Sequence, residues 1–146
     1  MRQNVMIAAL VGLAYAASVT LAPMARAEDK KVDFARDIQP LLASRCVACH
    51  GADPKGKKPK GKYDLTTKEG AMSSGEHKGK NIVANKSEES LIYTTLLHAV
   101  GKDDDEVGRM PYKKDPLSAE QIKMLKDWID QGAAWPDEVK KIELKE

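Results

Sequence analysis

The run Cys46-Val47-Ala48-Cys49-His50 holds both cysteines of the 146-residue chain, three positions apart, with a histidine directly after the second. This C-x-x-C-H pattern is the attachment signature of c-type haem. Each thiol can add to one haem vinyl group as a thioether, and the two-residue gap matches the spacing of the vinyls along the macrocycle edge. His50 is placed to offer an imidazole nitrogen to the iron from one face. The motif also bears on composition. Aromatics make up only 5% of the chain, with one Phe, two Trp and four Tyr, a thin supply of large core side chains. A covalently held haem would become the largest apolar group inside.

Three other uses of a C-x-x-C pair compete. A thiol–disulfide redox pair wants a βαβ context, and no strand-like run precedes Cys46. Half a zinc site would need two more ligands from His77 and His98, whose 21-residue separation matches no standard finger spacing. A plain structural disulfide would leave the following histidine without a purpose. Haem attachment accounts for all three residues.

The N-terminus sets the compartment. Arg2 gives a short positive start, Val5 to Ala22 carries no charge, and Ala25-Arg26-Ala27 ends the segment as an A-x-A site. This predicts a secretory signal peptide, residues 1–27, cleaved after Ala27. The alternative is an uncleaved membrane anchor, since 18 uncharged residues approach the length of a span. Six of those 18 are Ala, however, and Gly12, Ser18 and Thr20 dilute the run further. Cleavage leaves one domain, residues 28–146, with no membrane span, exported to the periplasm or an equivalent compartment. It removes Arg2 and Arg26 and no acid, so the 24 basic residues become 22 against 22 acidic. That balance gives no reason to expect a nucleic-acid partner. The remaining charge is local: Lys55, Lys57, Lys58, Lys60 and Lys62 crowd one stretch, and Asp103, Asp104, Asp105 and Glu106 another.

The rest reads as helices joined by long loops. Asp33 to Arg45 predicts a helix, with Asp33 as N-cap, apolar Phe34, Ile38, Leu41 and Leu42 on one face, and Pro40 as a kink or break. Residues 51–64 and 73–86 are loop-like by their Gly, Pro and Ser content, with a short helix near Thr66–Met72. Ser87 is read as the N-cap of a helix running to about Val100 and stopping at Gly101. Ser118-Ala119-Glu120-Gln121 fits a capping box opening a last helix whose apolar face is Ile122, Leu125 and Ile129, with Trp128 beside it. Gly132 is its natural stop. No segment alternates with period two. The fold class is therefore all-α, three or four helices around the haem.

An electron carrier needs a second axial ligand. The candidates are Met72, Met110, Met124, His77 and His98. Met124 lies in the last helix and reads as a core-packing side chain, Met72 and His77 lie in a solvated Gly/Ser/Lys stretch, and a lone His such as His98 in an apolar helix is more often a packed side chain. Met110 differs. It sits in a loop, 60 residues after His50, and Pro111 behind it fixes φ and removes a donor. Met110 is the expected distal ligand.

In order and spacing the motifs resemble the planctomycete-type cytochrome c domain, a small class I-like monohaem c-type cytochrome, from about Asp33 to Pro136. The similarity rests on Phe34-Ala35-Arg36-Asp37-Ile38-Gln39-Pro40-Leu41-Leu42 before the Cys46–His50 motif, on Tyr63-Asp64-Leu65-Thr66-Thr67, on Ile82 through Ile92, on Arg109-Met110-Pro111, and on Leu117 through Pro136. The resemblance implies one haem c on Cys46 and Cys49, with His50 proximal and Met110 distal. It also implies a class I cytochrome c-like fold in which the first and last helices pack across each other. Family members often follow the Met with two prolines, whereas Tyr112 stands second here. The chain ends at Glu146 and resembles a stand-alone version of a domain that many relatives carry at the front of larger proteins.

The function expected is single-electron transfer between redox partner proteins, after loading by the cytochrome c maturation machinery, and not catalysis. The Lys55–Lys62 cluster could steer an acidic partner. The alternative is a haem-based sensor or peroxidase-like protein with an open distal site. A haem-free thiol oxidoreductase is a third possibility.

Overall fold

The computed structural model describes residues 30–52, 56, 58–98 and 108–143. The expected signal segment, the acidic run 103–106, Lys55 and Lys57, and the expected helix stop at Gly101 lie outside them. Among the described residues the chain is helical and has no strand. The described residues form five short α-helices: α1 (Gln39–Arg45), α2 (Val47–His50), α3 (Lys68–Ala71), α4 (Leu91–Leu97) and α5 (Ala119–Asp130). That is one more than the upper expectation, because α2 is a single turn made by the cysteine motif itself.

The predicted first helix is split where its proline requires it. Phe34–Ile38 forms one wide π turn, closed by the Gln39 N–H donating to the Phe34 carbonyl five residues back, and α1 begins behind it with Pro40 in its first turn. A proline ring collides with the carbonyl four residues earlier and lacks an N–H to bond it. The wider turn places that conflict at a helix start, where the missing donor has no cost. Asp33 caps the turn as expected, its Oδ1 accepting from Arg36 N–H at 2.8 Å. Phe34, Ile38, Leu41 and Leu42 are all buried.

α5 is the best-formed element. Ser118 and Gln121 make the predicted capping box, 3.3 and 3.0 Å in its two directions. At the far end Gly132 has φ +104°, Gly132 N–H donates to Ile129 O, and Ala133 N–H donates to Trp128 O. This is a Schellman stop of the kind a glycine permits. Two Lys–Asp pairs, Lys123–Asp127 and Lys126–Asp130, run along the helix. Exposed pairs of this type contribute only about 0.3–0.5 kcal/mol. Leu125, Trp128 and Ile129 are buried, and each such side chain contributes roughly 1.5–3 kcal/mol. Burial therefore decides where α5 lies.

It lies against the N-terminal turn. The Phe34 ring centroid is 5.8 Å from Trp128 and 4.4 Å from Trp135. Three of the chain's seven aromatics thus form one cluster where the two ends of the domain cross. Both indole N–H groups are satisfied, by Ala134 O at 3.0 Å and Val139 O at 3.2 Å. Ile142 N–H then donates to Thr66 O at 2.7 Å, pinning the C-terminal tail to the middle of the chain.

The helix expected from Ser87 to about Val100 is shorter at both ends. Ser87 opens a separate tight turn, Ser87–Glu89, and its N–H and hydroxyl donate to the Asp130 carboxylate at 2.9 and 3.1 Å. It ties that turn to α5 and does not cap α4. Ser90 is extended, and its hydroxyl bridges Val83 N–H and Lys86 O. α4 starts after it and has ended by His98, which is extended.

Asp37 in the first turn makes acid stability testable. Hydrogen bonds from the Arg36 guanidinium and the Asp33 N–H pull its carboxyl down to about 2 from an ordinary value near 3.8. A lowered acid favours the folded state above the unfolded-chain pKa and loses that effect as pH falls through the folded value. Asp37→Asn should therefore lower the denaturation midpoint at pH 5–7 and flatten its decline between about pH 4 and pH 2, measured by chemical denaturation across that range.

Candidate haem-binding site

The cysteine motif folds as a turn centred on one carbonyl. Cys46 leaves helical geometry for one residue, and its C=O accepts from Cys49 N–H at 3.1 Å and His50 N–H at 2.9 Å. The chain must then exit sharply. An added Cβ at Gly51 would stand 2.6 Å from the Val47 carbonyl oxygen and 2.8 Å from Val47 Cγ1, so a side chain there would collide with α2. The chain returns beside the motif at residues 64–66. Leu65 N–H donates to His50 O at 2.7 Å, and Asp64 Oδ1 accepts from Ala52 N–H, Thr66 N–H and the Thr66 hydroxyl.

His50 is fixed in tautomer. Its Nδ1 lies 2.9 Å from the Lys60 carbonyl oxygen. A carbonyl can only accept, so Nδ1 carries the proton and the Nε2 lone pair is left for a metal. Burial lowers the imidazole pKa, partly opposed by the Lys60 hydrogen bond, and so favours the neutral, ligating form. The Tyr63 ring lies parallel to the imidazole.

Cys46, Cys49, His50 and Met110 line one cavity of about 620 Å³, within the roughly 300–1,000 Å³ range of cofactor and ligand sites. Leu65, Ile92 and Leu96 supply apolar wall, and Arg45, Lys60, Lys114 and Asp115 supply charge. The end of α4 holds the methionine loop. Met110 N–H donates to Thr95 O at 2.7 Å, and Arg109 Nε to Leu96 O at 3.3 Å. These carbonyls belong to the last turn of a helix, which has no helical donors left for them. α4 ends early and its open carbonyls hold Met110.

The other candidates lie elsewhere. Met72 and Met124 pack against the hydrophobic core. His98 is exposed, His77 is half-buried, and neither lines the cavity. Among the described residues no group of three or more His, Cys, Asp or Glu could hold a metal ion. Neither cysteine is in a disulfide. Burial pushes the Cys46 thiol up to about 12, against the pull of Arg45, whereas a thiol–disulfide catalyst needs a lowered thiol.

Two contributors escaped the sequence reading. The lysine-rich stretch was read for its charge, but Lys60 acts through its backbone carbonyl. Tyr63 was noted only as part of a family motif. The signal for both was Gly61 between them, which takes φ +68° and lets the chain turn beside the imidazole.

An all-α domain with a C-x-x-C-H turn and a loop methionine on one cavity is the arrangement a c-type haem would require. Residues 46–113, from the first cysteine through the methionine loop, match the family model of planctomycete cytochrome C. The family is one of haem-binding electron-transfer proteins, and its members carry haem c covalently. No curated protein and no solved structure matches the chain.

Asp64→Ala would leave Thr66, which is 2% exposed, without its acceptor. The expected cost is about 1–3 kcal/mol, read as a lower denaturation midpoint of the holoprotein.

Proposed function

We propose that the protein is an exported monohaem c-type cytochrome that carries single electrons between redox partner proteins and catalyses no reaction of its own. One observation carries this reading: the two thiols, the imidazole and the methionine picked out by sequence all line the same apolar-walled cavity. Cys46 and Cys49 would hold the haem by thioethers, His50 would bind the iron through Nε2, and Met110 would take the other axial position. Bound haem supplies the ferric/ferrous couple, with its potential tuned by the axial ligands.

The chain's own residues do the rest. The Lys60 carbonyl holds the His50 proton on Nδ1. Thr95 and Leu96 hold the methionine loop by its backbone and by Arg109. Leu65, Ile92 and Leu96 would present apolar surface to the bound group, and the lower dielectric beside it would strengthen the influence of every fixed charge there. Cys49 and Tyr112 are exposed on the cavity walls, so the group's edge would face the surface through which electrons pass. Arg45, Lys60 and Lys114 outnumber Asp115 around this opening and would favour an acidic partner.

Export follows from residues 1–27, with cleavage after Ala27 and a single domain over residues 28–146. Cytochrome c domains are typically exported, and among the described residues no helix is long and apolar enough to cross a membrane.

The distal ligand separates this reading from the sensor or peroxidase-like alternative. The reduced holoprotein should resist carbon monoxide under native conditions, and the oxidised form should show the far-red methionine–ferric band. Met110→Ala should lose the band and bind carbon monoxide. Wild-type protein that binds carbon monoxide as readily as the variant would contradict the carrier assignment and support an open site.

A further inference from the structure

His50 has two neighbours that restrain its ring. The Lys60 carbonyl holds one atom, Nδ1, and a single hydrogen bond still lets the ring plane rock about it. Tyr63 supplies the second restraint. Its ring is 5° from parallel with the imidazole, with centroids 4.8 Å apart, an offset stack of the favourable kind.

Tyr63 is itself seated between two glycines. An added Cβ at Gly61 would stand 2.8 Å from Tyr63 Cε1, and one at Gly75 would stand 2.6 Å from Tyr63 Cδ1 and 2.3 Å from the Gly61 carbonyl oxygen. Both glycines have positive φ, +68° and +60°, so the chain passes this close to the phenol only where no side chain intervenes. The second glycine comes from the stretch read in sequence as solvated loop. It is anchored: Glu76 N–H donates to Gly61 O at 3.0 Å, and Glu76 also pairs with Lys62 at 3.2 Å. The exposed ion pair contributes little; the backbone bond and the glycine contact set the seat.

We propose that Tyr63, seated by Gly61 and Gly75, is a positioning residue that fixes the plane of the His50 imidazole. The proposal rests on the reading of His50 as an iron ligand. Outer partners of a metal-binding histidine set its ring orientation. Here the Lys60 carbonyl sets the tautomer and the Tyr63 face sets the plane. The ring face is what matters, so the hydroxyl is dispensable.

The test uses haem-loaded full-length protein with Tyr63→Phe, Tyr63→Leu and Gly75→Ala, read by the order of the haem-methyl hyperfine shifts in the ferric state and by the reduction potential. Tyr63→Phe should match wild type in both. Tyr63→Leu and Gly75→Ala should stay low-spin while the methyl shifts reorder or broaden and the potential moves. If Tyr63→Leu fails to mature, Tyr63→Met decides by the same readouts, since Gly75→Ala also meets the Gly61 carbonyl oxygen beside Lys60. Wild-type shift order and potential in both Tyr63→Leu and Gly75→Ala would overturn the proposal, as would Tyr63→Phe departing as far as Tyr63→Leu. A wild-type protein that is high-spin or haem-free would instead remove the ligand reading, and the positioning role with it.

Discussion

The hydrogen bond from His50 Nδ1 to the Lys60 carbonyl is the contact on which the rest of the site depends. It decides which imidazole nitrogen carries a proton and therefore which one a metal can use. For it to form, the chain must leave α2 at once, loop out and return within 3 Å of the ring. Gly51 permits the departure, because any Cβ there meets Val47. Asp64 secures the return by gathering three donors on one oxygen. Tyr63 then lies against the ring because it is three residues past Lys60.

The methionine side is built from a different material. α4 stops early, and the carbonyls of its last turn are taken by the N–H of Met110 and the guanidinium of Arg109. A helix end is a set of acceptors with no partners of their own, so a loop that supplies donors is drawn to one place. The aromatic cluster of Phe34, Trp128 and Trp135 lies apart from the cavity and closes the two ends of the domain on each other. Three of the seven aromatics are spent on that crossing, and the cavity wall is built from aliphatic side chains together with Tyr63 and Tyr112.

Local patterns were readable from sequence and non-local ones were not. The capping box at Ser118, the stop at Gly132, the break at Pro40 and the cysteine motif each depend on a few adjacent residues, so spacing revealed them. Met110 was singled out by its proline and its distance along the chain, and it does line the cavity with the motif. Ser87 misled because its hydroxyl looks the same whether it caps its own helix or bonds Asp130, 43 residues away. The end of α4 was placed too late for a related reason: apolar Ala99 and Val100 lead to a glycine stop in the sequence, but the carbonyls of Thr95 and Leu96 serve Met110 and Arg109. Lys60 was hidden because a backbone carbonyl has no side-chain signature.

The central claim is that this cavity holds one covalent haem. The most direct test is the intact mass and optical spectrum of the mature protein, made from the full precursor in cells with a cytochrome c maturation system. The account predicts a red, low-spin protein with the mass of residues 28–146 plus one haem. A colourless protein with two free thiols from the same cells would contradict it.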